Sequence, residues 1–112
     1  MSLEQLRIRA NRLRREMEEE QRRLLEKSQN ASRIEQRIAF AENEARLARR
    51  MGNYILEQQY LSQIPELRRR LMWLEQDIAR EQARLDQLIS QLRMIKEYMS
   101  RAAGRVYKRG TH

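Results

Sequence analysis

MGNYILEQQYLSQIP, residues 51–65, is the one place where an otherwise unbroken heptad pattern stops. Gly52 can take the positive φ that ends a helix. Tyr54, Ile55, Leu56, Tyr60 and Leu61 then form an apolar cluster too short for a long helix. Ser62 can cap a new helix, and Pro65 falls in its first turn, where a missing N–H costs nothing. The stretch therefore predicts a bend between two long helices. The expected layout is a first helix over 2–51, a bend over 52–63 with room for a short helix, a second helix over 64–103, and a basic tail over 104–112.

Outward from the bend, both arms carry the same seam. Before it, seam residues recur from Leu3, Leu6, Ala10 and Leu13 to Ala41, Ala45 and Ala48, with gaps alternating between three and four; all are apolar or small except Glu20 and Lys27. After it, the same spacing runs from Ile64, Leu67, Leu71 and Leu74 to Ile95 and Met99. This is the a/d repeat of a coiled coil, narrower than the stripe of a globular helix. Ser2 is a suitable N-cap for the first arm. At 1.5 Å per residue that arm predicts a helix of roughly 70 Å.

Joined by so short a bend, the arms should pack antiparallel, as an all-α two-helix coiled-coil hairpin. In such a pair, a positions meet d positions. Pairing residues whose numbers sum to 112 satisfies this and sets Ala41 against Leu71, Ala45 against Leu67 and Ala48 against Ile64. Small then opposes large. In this register Lys27 and Glu81 lie one layer apart, and a polar pair in the seam can fix alignment at some cost in stability. The competing fold is one continuous helix pairing with a second copy. The Gly52 and Pro65 breaks argue against it.

Composition bounds the class. The chain has 112 residues, 40% hydrophobic and 36% charged, with only four Pro and Gly residues together. Such a balance suits long helices, not a multilayered core. There is no cysteine, so neither disulfides nor thiolate metal sites are available. No apolar run reaches the ~20 residues of a membrane span. The Arg-rich start has some character of a mitochondrial presequence, yet Glu4 and Glu16 interrupt it and serine is scarce. It is expected to belong to the first helix. An intracellular setting is expected, cytoplasmic or in the mitochondrial matrix.

No catalytic constellation is legible. The single histidine is His112, and no Gly-rich phosphate loop or nucleophile–base pair is present. Neither enzyme activity nor a cofactor or metal is expected. The run REMEEE, residues 15–20, reads as solvated helix surface.

Charge and apolar surface are placed unevenly. Residues 1–15 hold five arginines against Glu4, and residues 93–112 hold six cations against Glu97. In a hairpin these stretches meet at the open end. Arg7, Arg9, Arg12, Arg101, Arg105, Lys108 and Arg109 are the candidate contacts there for an acidic protein surface, nucleic acid or anionic lipid. The chain has 21 arginines and 3 lysines, which suits bidentate contacts to carboxylate or phosphate. Phe40 and Trp73 fall off the seam, both at c positions, on one face and nearly level in the register above. Leu47 lies one heptad along. Two helices alone bury little, so this Phe40–Leu47–Trp73 strip is the candidate docking face for partner helices or a second copy.

The stretch ARRMGNYILEQQYLSQIPEL, residues 48–67, resembles the bend in the middle-domain coiled coil of ring-forming protein disaggregases. There too a glycine turn precedes a QY element and I-P-E-L opens the next helix. The likeness covers about twenty residues and implies a helical-hairpin turn, with no ATPase motif. In architecture the chain is also similar to the two-helix stalk proteins of flagellar and type III export ATPases. The expected function is a non-catalytic structural or adaptor subunit. The alternatives are a nucleic-acid-associated helical protein, of ribonucleoprotein or capsid type, and a stalk or regulator of an export-type ATPase.

Overall fold

The computed structural model describes residues 2–110, with side chains described through Gly104. The fold is an all-α coiled-coil hairpin. Its elements are α1 (Leu3–Arg50), α2 (Tyr54–Leu61) and α3 (Ile64–Gly110).

Both ends of α1 are closed by local chemistry. At its start, the Gln5 N–H donates to Ser2 Oγ at 3.1 Å while the Ser2 N–H donates to Gln5 Oε1 at 3.0 Å. This reciprocal capping box satisfies two donors at the helix start. At its end, Gly52 takes φ 74°. The Asn53 N–H then reaches the Ala48 carbonyl at 2.8 Å and the Gly52 N–H reaches Arg49 at 3.0 Å. That pair of bonds is the Schellman closure, which requires a left-handed residue where Gly52 stands.

The bend restarts at once. Asn53 Oδ1 accepts from the Leu56 N–H at 3.1 Å and so caps α2. Ser62 acts differently from its expected role: its Oγ donates to the Gln59 carbonyl at 2.8 Å, closing α2 instead of opening α3. The Leu67 N–H donates to the Gln63 carbonyl, so α3 begins from Gln63. Pro65 sits in its first turn, as its missing N–H allows.

The second boundary is also corrected. α3 does not stop at Ala103 but runs to Gly110. Gly104 keeps a negative φ, so no left-handed closure forms there. A helical glycine costs only about 1 kcal/mol against alanine, a weak stop without a capping partner.

The chain divides into two compact units. One, Leu24–Arg80, holds the bend; the other joins residues up to Arg23 with residues from Glu81 onward. In the second unit Leu6, Ala10 and Leu13 form a buried cluster with Leu88, Leu92 and Ile95, and Met17 and Met99 pack against it. The a/d assignment of both arms is thereby met, but not the expected alignment. Leu6 and Ala10 were expected beyond Met99, opposite Val106 and Ala102. Val106 lies outside the described side chains, and the described residues of α3 in their cluster, Leu88, Leu92, Ile95 and Met99, all precede Ala102.

The unit holding the bend shows the same displacement. The Phe40 ring contacts Tyr60, with centroids 6.2 Å apart. Tyr60 is only four residues before Ile64, and Gln63 and Leu67 share a groove with Gln36, Arg37 and Phe40, so α3 starts near the level of Phe40 and Ala41. The expected pairing of Ala48 with Ile64 and of Ala45 with Leu67 is therefore wrong by seven residues, about 10 Å along a helix. The cause is α2. Ala45 and Ala48 are buried, at 3% and 2% exposure, while Leu56, Glu57 and Tyr60 of α2 are half-buried. With α3 starting near the level of Ala41, the burial of Ala45 and Ala48 falls to the short helix. A seven-residue slip keeps every a and d position in the seam, so the heptad pattern alone could not reject it.

Candidate interaction faces

In the unit holding the bend, the seam between Ile34 and Ile78 is thinly covered. Ile34, Ile38, Leu71, Leu74 and Ile78 are all half-buried. On one face the helices are tied: Arg68 Nη2 of α3 meets Glu42 Oε1 of α1 at 3.0 Å, and Arg46 approaches the other Glu42 oxygen at 4.0 Å. On the face carrying Phe40 and Trp73, like charges confront each other instead. Arg37 of α1 and Arg70 of α3 line a groove from opposite walls. Its volume is about 740 Å³, and Ile34, Trp73 and Leu74 supply its apolar lining.

Phe40 and Trp73 are 59% and 66% exposed, and Leu47 is exposed beside them. The one-heptad slip means that Phe40 and Trp73 are not level, as the sequence register had them. Each lines its own groove, and the two grooves share Arg33 and Arg37. The strip is therefore longer than expected, with an arginine pair between its two aromatic ends.

The groove's charges are only partly engaged. Glu66 accepts from Arg69 at 3.1 Å and from Arg70 at 3.3 Å. Asp77 faces Arg80 at 3.6 Å. Arg33 donates to the Asn30 amide oxygen at 3.4 Å. All these groups are largely exposed, so each pair is worth well under about 1 kcal/mol. They orient the walls more than they hold the fold.

The bend carries a second apolar surface. Met51, Tyr54 and Ile55 are exposed, and α2 has no fully buried residue. Glu57 is its single charged residue and lies 3.9 Å from Arg49.

In the other unit, Arg7, Arg9, Arg12 and Arg101 are all exposed, while Arg105, Lys108 and Arg109 lie outside the described side chains. Of the first four, Arg7 enters a groove of about 430 Å³ with Arg14, Lys96 and Asn11. Arg14 donates to Asn11 Oδ1 at 2.9 Å. No carboxylate lines this groove among the described residues. Arg14 and Lys96 were not among the residues singled out from the sequence. The signal was present: Arg14 lies one heptad after Arg7, on the same helix face.

Glu20 stands at a seam position of the heptad pattern, within a run that reads as solvated surface. It is 2% exposed, the most fully buried large side chain among the described residues, and pairs with Arg23 at 3.0 Å. The run REMEEE is thus not wholly solvated: its last member occupies a seam position. Lys27 and Glu81, the expected register pair, are both half-buried, one in each unit, and Glu81 Oε2 is buried.

Among the described residues no helix is long and apolar enough to cross a membrane, and no cluster of acidic, histidine or cysteine side chains could hold a metal ion. Compared with known proteins, the chain matches no family model, no curated protein and no solved structure.

Proposed function

We propose that the chain is a non-catalytic coiled-coil adaptor or structural subunit, which docks on a larger assembly through the Phe40–Leu47–Trp73 face. The observation that supports this is the pairing of exposed aromatics with a half-covered seam. A lone exposed apolar residue means little. Here the aromatic strip borders Ile34 and Leu74, which two helices by themselves leave partly wet, and further helical surface would complete their burial. Burying a large apolar side chain fully is worth about 1.5–3 kcal/mol, so the strip is a sizeable source of binding energy.

The test uses the double variant Leu47→Ala, Trp73→Ala, which spares Phe40 and its contact with Tyr60. Helicity by circular dichroism stays near that of the parent, because neither residue is on the seam. Partner capture, or self-association measured by sedimentation, is lost. Unchanged assembly in the variant would overturn the reading.

The groove of Arg7, Arg14 and Lys96 supports a second reading, in which the other unit contacts the phosphates of a nucleic acid without reading its sequence. Affinity for single-stranded RNA would then fall steeply with salt and be indifferent to base composition.

A further inference from the structure

From the groove between α1 and α3, we infer that its occupant is an acidic amphipathic helix supplied by a partner protein. This rests on the reading of the Phe40–Trp73 face as a docking surface and specifies what docks there. The floor is apolar, formed by Ile34, Trp73 and Leu74. The rim is cationic: Arg33, Arg37, Arg69 and Arg70 stand against only Glu66 and Asp77. Both carboxylates already face arginines, Glu66 at 3.1 and 3.3 Å and Asp77 at 3.6 Å. The chain's own carboxylates therefore leave the rim positive. A ligand with an apolar stripe bordered by Glu or Asp matches it on both counts.

The occupant's secondary structure follows from the walls. Both are helices, whose backbone groups are already paired within themselves, so an extended peptide would find no strand edge to bond with. Its own N–H and C=O groups would lose water without gaining partners. A helix satisfies its backbone internally and presents only side chains. On α3 the groove spans Glu66 to Asp77, about 16 Å at 1.5 Å per residue, which matches three helical turns. A second copy laid face to face would bring the arginine rims together, an arrangement disfavoured by like charge.

Trp73 is the chain's single tryptophan and sits in the groove, so its emission reports occupancy directly. The probes are two synthetic helical peptides with one leucine stripe, flanked by Glu in one and Lys in the other, titrated into the full chain. The Glu peptide shifts Trp73 emission to the blue and saturates; the Lys peptide does not. Reversing two rim charges, Arg33→Glu with Arg37→Glu, weakens the Glu peptide by about tenfold and lets the Lys peptide bind. Equal binding of both peptides to the parent would overturn the acidic preference while leaving a helix-docking face. Self-association that alone shifts Trp73 emission would overturn it in favour of a second copy. If neither peptide nor protein concentration moves the emission, the inference and the docking reading both fall.

Discussion

The Phe40 and Tyr60 rings meet edge to face, with centroids 6.2 Å apart and planes at 80°. This contact marks the level at which the return helix begins. It holds the end of α2 against α1 at the level of Ala41, and Ile64 follows four residues later. Edge-to-face pairs contribute about 0.5–1.5 kcal/mol beyond burial, enough to favour one alignment when two differ by a whole heptad and share every seam residue.

The alignment can be read chemically, because the chain has no cysteine of its own. Cysteines at Ile38 and Leu67 oxidise to a disulfide within one chain, while cysteines at Ala45 and Leu67 do not. The two first-helix positions differ by seven residues, about 10 Å along the axis, beyond what a disulfide spans. Non-reducing gel mobility with mass spectrometry checks this. Efficient closure of the Ala45–Leu67 pair would restore the longer hairpin.

The glycines at positions 52 and 104 predict opposite outcomes. An added Cβ meets nothing within 4 Å at either site. At Gly52 the φ of 74° is costly for any side chain, so Gly52→Ala destabilises by about 1–2 kcal/mol. At Gly104 the backbone is helical, and Gly104→Ala stabilises α3 by up to about 1 kcal/mol. Thermal melts followed by circular dichroism compare the two. A stabilising Gly52→Ala would contradict the Schellman closure.

What the sequence made legible was whatever has a short period. The a/d seam, the break at Gly52, the Ser2 cap and the exposure of Phe40 and Trp73 follow from local spacing. Alignment was not legible, because Ala45 and Ala48 suit Leu67 and Ile64 as well as they suit α2. The pattern records that small residues meet something large, without saying what. Glu20 was legible as a seam position from the same spacing, although the acidic run around it reads as solvated; its depth of burial, 2% exposure, needed the second helix. The groove needed both walls, since Arg37 and Arg70 are 33 residues apart in sequence.

Glu20 should limit stability. It is a buried carboxylate whose partner, Arg23, is half-exposed, so the pair recovers only part of the cost of desolvation. Replacing it with leucine fills a seam position with an apolar side chain, and raises stability by about 1–4 kcal/mol. Arg23→Ala leaves the carboxylate buried without that partner and lowers stability. Chemical denaturation of both variants supplies the check. A destabilising Glu20→Leu would mean that the carboxylate holds the seam together.

Arg7, Arg14 and Lys96 line one cationic groove. These three side chains are exposed and off the seam, and their single hydrogen bond among the described contacts is from Arg14 to Asn11. Substituting such surface groups usually changes stability by no more than about 0.5 kcal/mol each. Their shared field is another matter, because three cations line one concave site with no carboxylate among them. Charges so close act together, within the ~8 Å over which physiological salt screens them. Reversal of all three to Glu therefore leaves the melting temperature near that of the parent. Binding to a single-stranded homopolymer RNA weakens sharply, and the slope of log affinity against log salt falls by about 1 for each phosphate contact removed. Fluorescence anisotropy over a salt series measures both. If the reversed chain binds RNA with the parent's affinity and slope, these cations only solvate the helices, and the nucleic-acid reading fails with them.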